Sequence, residues 1–81
     1  MDESWIANPK VFAERANTVY EKIRPEVEAV ARGQIIAIEV DSGDYYIGAT
    51  EIEAARKARA HHPDKIFYFR RIGYPVVHIK R

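Results

Sequence analysis

The chain has 81 residues, of which 47% are hydrophobic, with no cysteine and a formal net charge of +1. This composition excludes a disordered chain and a disulfide-stapled fold, and no uncharged apolar run is long enough to span a membrane. One domain over residues 1–81 is expected, with residues 1–8 as a flexible N-terminus. Because the first residues lack the basic start and apolar core of a secretory signal, a cytoplasmic location is expected.

The two halves of the chain differ in charge. Residues 1–50 contain five Lys or Arg against nine Asp or Glu, whereas residues 51–81 contain eight against three. A basic half can bind an anionic partner, or it can simply be a solvated surface. The sequence leaves both interpretations open.

A long helix is predicted over residues 9–32. Asn8 is a suitable N-cap, Pro9 suits the first helical position and Gly33 ends the helix. Pro25 is predicted to kink it, because the apolar stripe keeps its phase across the proline. The stripe either packs on the protein's own sheet or binds a second copy or a different protein. The candidate partner-binding residues on it are Phe12, Val19, Ile23, Val27 and Val30.

A β-hairpin follows the helix. Residues 35–40 form a strand that is apolar on both faces and therefore central in a sheet, and residues 45–48 form its partner. Gly43 provides the left-handed residue of the turn. Acidic residues near the turn suggest a calcium loop, but the 12-residue ligand pattern is missing. No metal site and no cofactor are therefore predicted.

A second helix is predicted to start at residue 51, because Thr50 and Glu53 have the spacing of a capping box. It has a face of small side chains and ends at His61 and His62, before Pro63. Adjacent helical residues point about 100° apart, so the two histidines are predicted to cap the helix rather than share a metal ion.

A second hairpin is predicted from a strand at 66–72, a turn at 73–75 and a strand at 76–80. The predicted fold class is therefore α+β, in which the long helix precedes a ββαββ core over residues 34–81. The core is expected to be a four-stranded antiparallel sheet of order 2-1-3-4, with the short helix on one face.

The second hairpin combines aromatic and basic side chains, the mixture that stacks bases and holds phosphates in single-stranded nucleic acid binders. Aromatic residues are also common in ordinary strands. The candidate nucleic-acid contacts are Tyr68, Arg70, Arg71, Tyr74, His78 and Lys80.

Four runs of residues form a recognisable pattern: Gly33–Gly48, Glu53–Ala54, His62–Asp64 and Arg71–Val77. This pattern resembles a family of small uncharacterised bacterial proteins that is abundant in cyanobacteria. The resemblance implies a component of a bacterial toxin–antitoxin pair. Separately, Phe69–His78 is similar to the terminal hairpin of the RelE/ParE toxins, which implies RNA cleavage promoted by basic and aromatic or histidine side chains.

The favoured hypothesis is a non-enzymatic, antitoxin-like protein-interaction module that uses the helix stripe and an exposed sheet face or edge. Its partner would be a protein or a second copy, in a homodimer or a toxin–antitoxin-like heteromer, and no membrane is involved. The alternative is a small RNA-binding protein or RelE-like ribonuclease that uses the second hairpin.

Overall fold

The computed structural model describes residues 8–75, which form two helices and three strands. In chain order these are α1 (Pro9–Ala31), β1 (Ile35–Glu39), β2 (Tyr45–Gly48), α2 (Glu51–His61) and β3 (Phe67–Arg71). The α+β class and the order of these five elements are as predicted. Within the described range, neither helix is long and apolar enough to cross a bilayer.

The sheet is antiparallel with the strand order β2-β1-β3, so the prediction of a four-stranded sheet is wrong. β3 ends at Arg71, and after Ile72, whose amide and carbonyl still bond to Gln34 and Gly33, the chain turns against α1. Gly73 has a φ of +87°, and its amide donates to the hydroxyl of Tyr20 at 3.1 Å. The predicted fourth strand, residues 76–80, lies outside the described residues.

Local capping interactions begin both helices where the sequence predicts. The Asn8 side chain accepts from the amides of Lys10 and Val11 at 3.1 and 3.3 Å. Thr50 Oγ1 accepts from the amide of Glu53 at 3.1 Å, and the Glu53 carboxylate accepts from the amide just before the cap. These contacts satisfy amides that have no partner inside the helix.

α1 is one continuous helix with Pro25 inside it. The proline removes one backbone hydrogen bond and disfavours helical geometry at the residue before it. The apolar side chains on either side of Pro25 nevertheless pack on the same core, with Tyr20 before it and Val27 after it both buried. Packing against the sheet therefore outweighs the local cost of the proline.

The hairpin between β1 and β2 has the predicted turn, in which Gly43 has a φ of +81°. The Glu39 side chain is buried, and its two carboxylate oxygens accept from the amides of Asp41 and Ser42 at 3.2 and 3.0 Å. These bonds compensate for the loss of water around a buried carboxylate. The acidic tip is therefore a structural turn.

The two faces of the sheet are covered by different helices. α1 packs on one face through its apolar stripe, against the cluster of Ile36, Ile38, Val40 and Ile72. α2 packs on the opposite face through Ala54 and Ala58, against Ala37 of β1. The sequence left open whether the long helix packs on the protein's own sheet or binds a second copy or another protein. In the structure it packs on its own sheet.

Gly48 allows α2 to lie very close to the end of β2. A Cβ at this position would lie 2.6 Å from the amide nitrogen of Ala54 and 2.9 Å from the Cβ of Glu53. With the small alanines of the helix, this close approach holds α2 over β1 and β2. The α2 side of β3 is consequently only half covered.

Candidate functional site

The predicted partner-binding stripe of α1 is largely in contact with the protein's own core. Phe12, Val19 and Ile23 are partly buried against it, and Val27 is almost fully buried. Val30 differs from them, with 77% of its surface exposed. Of the five residues, only Val30 presents most of its surface to a partner in this conformation.

The predicted nucleic-acid contacts are divided between the two faces of β3. Tyr68 faces α1, where its ring meets that of Phe12 edge-on at a centroid distance of 6.1 Å. Arg70 also faces α1, whereas Arg71 alternates to the opposite face. Tyr74 is exposed in the turn after β3. His78 and Lys80 lie outside the described residues.

Arg70 is held by contacts within the chain. Its guanidinium carbon lies 3.8 Å from the centre of the Tyr20 ring, which is the geometry of a cation–π contact. Its two terminal nitrogens donate to Asn17 Oδ1 and to the carbonyl of Tyr74, both at 2.9 Å. Arg70 therefore connects β3, α1 and the following turn.

Tyr20 is the buried centre of this connection. Its hydroxyl donates to Glu28 Oε2 at 2.9 Å and accepts from the amide of Gly73 at 3.1 Å. Burial raises the pKa of the Tyr20 phenol above its ordinary value. The hydrogen bond from Tyr20, joined by attraction to Arg24, holds the pKa of the Glu28 carboxyl below 4.5 despite its partial desolvation.

The half-covered side of β3 forms a groove with the flank of α2, which we call the α2–β3 groove. It consists of two adjoining cavities of about 440 and 300 Å³, which share Glu51 and Phe69 in their walls. The residues that line the groove are Ile35, Ala49, Thr50, Glu51, Ile52, Ala55, Arg59, Phe69, Arg70 and Arg71.

The α2–β3 groove has an apolar centre and basic side chains along it. Ile52 lies on its α2 wall with 72% of its surface exposed, next to Ala55 and across from Phe69. Arg59 lines one cavity and Arg71 the other, whereas Glu51 is shared by both. Covering an exposed isoleucine and the half-buried phenylalanine beside it would remove apolar surface from water, which is favourable.

The outer edge of β3 carries backbone groups that point away from the sheet. The amide of Ile72 donates to the carbonyl of Gln34 at 2.8 Å, which sets the phase of the β1–β3 ladder. Alternation along an antiparallel strand then directs the amides and carbonyls of Phe67, Phe69 and Arg71 outward. Between residues 8 and 75, no strand pairs with this edge.

The opposite edge of the sheet, at β2, is protected by a lysine. Lys57 Nζ donates to the carbonyl of Ile47 at 2.7 Å. By the same alternation, that carbonyl is one of the outward-facing groups of β2. A lysine at an edge strand discourages pairing with another chain. The sheet thus has one protected edge and, within the described residues, one open edge.

The two histidines of the α2 terminus have structural partners. His61 Nδ1 lies 3.2 Å from the carbonyl of Lys57, and its ring stacks on Tyr46. His62 Nε2 lies 3.0 Å from Asp44 Oδ2 on the tip of the first hairpin. Over residues 8–75 no group of three or more His, Asp or Glu is arranged to hold a metal ion.

Comparisons with protein-family models, curated proteins and solved structures found no match for the chain. The resemblances drawn from the sequence therefore stay predictions. Sequence reasoning missed the α2–β3 groove and the α2 lysine that covers the edge of β2. The signals present were Gly48 at the end of the strand before the second helix and the alanine face of that helix, which together indicate a helix packed closely on one side of a sheet.

Proposed function

We propose that the protein is a protein-interaction module whose partner adds an extended segment to the outer edge of β3. The segment would place alternate side chains in the α2–β3 groove. The observation that carries this proposal is that an apolar groove lies beside an edge of β3 with which no strand between residues 8 and 75 pairs. Strand addition uses both, because backbone hydrogen bonds provide affinity and alternate side chains provide specificity.

The charges of the groove favour a particular partner. Arg59 and Arg71 line its two cavities, and Glu51 is the only acidic residue among the lining residues. A segment that alternates apolar and acidic side chains would bury the apolar ones against Ile52 and Phe69 and bring carboxylates near the arginines. Such complementarity increases specificity and the association rate more than it increases affinity.

The antitoxin-like assignment is one form of this proposal, in which the partner is a toxin-like protein. The RNA-directed alternative is less well supported by the geometry. Tyr68 and Arg70 pack against α1, so in this arrangement they are not available to stack on bases or pair with phosphates. Binding of RNA would depend on Arg71, Tyr74 and the residues after Pro75.

The test measures, by fluorescence anisotropy, the binding of two labelled peptides. One alternates valine with glutamate, and the other alternates valine with lysine. We expect the glutamate peptide to bind more tightly. Ile52→Glu should weaken this binding by about tenfold or more, as expected for an apolar contact at the centre of an interface. Val30→Glu is the matched control, because it introduces the same charge at an equally exposed residue on α1.

Two results would contradict the proposed function. One is the absence of binding for both peptides at low salt. The other is equal binding by the Ile52→Glu and wild-type proteins, which would place the peptide elsewhere. A labelled single-stranded RNA measured alongside tests the alternative, for which affinity should fall steeply with added salt.

A further inference from the structure

We infer that a second copy of this chain is a partner for the open edge, with two β3 strands pairing antiparallel about a two-fold axis at Phe69. The inference rests on the proposed function, since it uses the same edge and groove. It adds a second copy as the partner and the register of pairing. Unlike the glutamate peptide, the second copy's β3 brings phenylalanines but no carboxylate to the groove, so its affinity would come from strand pairing and apolar contact. The result would be one continuous six-stranded sheet built from two three-stranded sheets.

The backbone phase of β3 permits this register. Phe67, Phe69 and Arg71 have outward-facing amides and carbonyls. With the axis at Phe69, the two copies of this residue lie opposite each other and exchange both hydrogen bonds. Phe67 then lies opposite the second copy's Arg71, again with two outward-facing residues paired. The outward backbone groups of β3 therefore face complementary ones, of which the Arg71 carbonyl already accepts from the amide of Tyr74 at 3.4 Å.

The side chains of β3 are complementary to themselves in the same register. Its sequence is Phe-Tyr-Phe-Arg-Arg. About Phe69, Arg71 is placed opposite Phe67 on the groove face. Arg70 lies opposite Tyr68 on the other face, where both stay packed against α1. Arginine over an aromatic ring and aromatic rings beside each other are both favourable cross-strand pairs. No like charges are opposed within the strand.

Neighbouring two-fold registers do bring like charges together. With the axis at Tyr68, Arg71 would lie opposite Lys65. With the axis at Arg70 or Arg71, two copies of the same arginine would face each other. Like charges placed directly opposite on adjacent strands are destabilising. Charge therefore disfavours these three registers. An axis at Phe67 opposes no like charges, but it would pair β3 mostly with residues 63–66, before the strand begins. Lys57 on the carbonyl of Ile47 disfavours pairing through β2.

The first test compares two variants of β3 by sedimentation equilibrium, with circular dichroism to confirm folding. The wild-type chain should show a concentration-dependent dimer. Phe69→Glu would oppose two carboxylates at the axis and should weaken the dimer by about tenfold or more. Phe67→Glu is the matched control, because it would place a carboxylate opposite the second copy's Arg71 and should leave the dimer intact.

A second test does not depend on a charged substitution. The chain contains no cysteine, so Phe69→Cys and Val30→Cys each introduce a single thiol. Residues opposite each other in a hydrogen-bonded antiparallel pair have Cα atoms about 5.5 Å apart, which lies within the Cα range of disulfides. Mild oxidation should link the Phe69→Cys chains into dimers and leave the Val30→Cys chains unlinked.

A monomeric wild-type chain together with unlinked Phe69→Cys chains would overturn the inference, as would an equal loss of dimer in the two glutamate variants. A monomer that still binds the glutamate peptide would overturn the second copy as partner and leave the proposed function standing. A monomer that binds neither peptide would overturn both. A monomer in which the outward amides of β3 are already protected would overturn the inference too, since residues 76–81 or another segment would then occupy the edge.

Discussion

The guanidinium carbon of Arg70 lies 3.8 Å from the centre of the Tyr20 ring, which ties β3 to the long helix. Asn17 and the carbonyl of Tyr74 hold the same guanidinium from two other directions. An arginine that the sequence marks as a nucleic-acid contact thus has a structural role. Because Arg70 is held on the α1 side of β3, the surface that remains for a partner is the α2 side of this strand.

Removal of the Tyr20 hydroxyl should destabilise the fold. In Tyr20→Phe, the amide of Gly73 and the carboxylate of Glu28 both lose a partner, at a cost of about 1–3 kcal/mol. Urea denaturation should therefore show a lower midpoint with an unchanged slope. Tyr74→Phe is the control, since Tyr74 is half exposed and its change should stay within about 0.5 kcal/mol. Equal stability of Tyr20→Phe and wild type would contradict this role.

Acid should destabilise the protein partly through Glu28. Its pKa is held below 4.5 in the folded state by the hydrogen bond from Tyr20, so the unfolded chain binds a proton first as the pH falls. The stability that comes from this carboxylate is complete above about pH 4.5 and is lost as the pH falls through the folded pKa.

The measurement is the urea midpoint of wild type and Glu28→Gln from neutral to acid pH. The variant should lose less stability on acidification than the wild type. In a Tyr20→Phe background, the pH dependence of the urea midpoint should differ less between Glu28 and Glu28→Gln, because the main cause of the pKa shift is gone. Identical pH dependence of wild type and Glu28→Gln would refute the assignment.

Gly48→Ala should destabilise the contact between α2 and β2. The added Cβ would lie 2.6 Å from the backbone nitrogen of Ala54, so the helix or the strand end would have to move. Overpacking of this kind costs about 1–3 kcal/mol. Gly43→Asn is a useful comparison, since that glycine has a positive φ that asparagine tolerates and nothing within 4 Å of a Cβ. Thermal unfolding should show the larger loss for Gly48→Ala.

Lys57→Ala should make the protein prone to aggregation with little change in stability. Because this lysine is exposed, its loss should change the free energy of unfolding by no more than about 0.5 kcal/mol. Its amine nevertheless covers the outward carbonyl of Ile47. Light scattering during prolonged incubation should detect faster association. Arg56→Ala removes the same charge from the neighbouring position of α2, so comparable aggregation of both variants would argue that net charge, rather than the covered edge, is responsible.

Features decided by neighbouring residues could be predicted from the sequence. The caps at Asn8 and Thr50 and the turn at Gly43 depend on contacts within a few residues, and all three are present. The central position of β1 also follows from the apolar residues on both of its faces, because such a strand has to be covered on both sides.

Features decided by long-range packing could not be predicted in the same way. Strand alternation alone places Tyr68 and Arg70 on one face and Arg71 on the other, but not which face α1 covers. The number of strands likewise depends on pairing between distant segments, and here the chain turns against Tyr20 after Arg71. The groove follows from how closely Gly48 lets α2 approach, which is a property of the assembled fold.

Amide hydrogen exchange along β3 tests the central claim most directly, because it reports separately on the two sides of one strand. In dilute protein without peptide, the inward amides of Tyr68, Arg70 and Ile72 should be protected, and those of Phe67, Phe69 and Arg71 should exchange rapidly. Saturation with the glutamate peptide, or a high protein concentration, should slow the exchange of the three outward amides. Rapid exchange of the outward amides under all of these conditions would contradict the account.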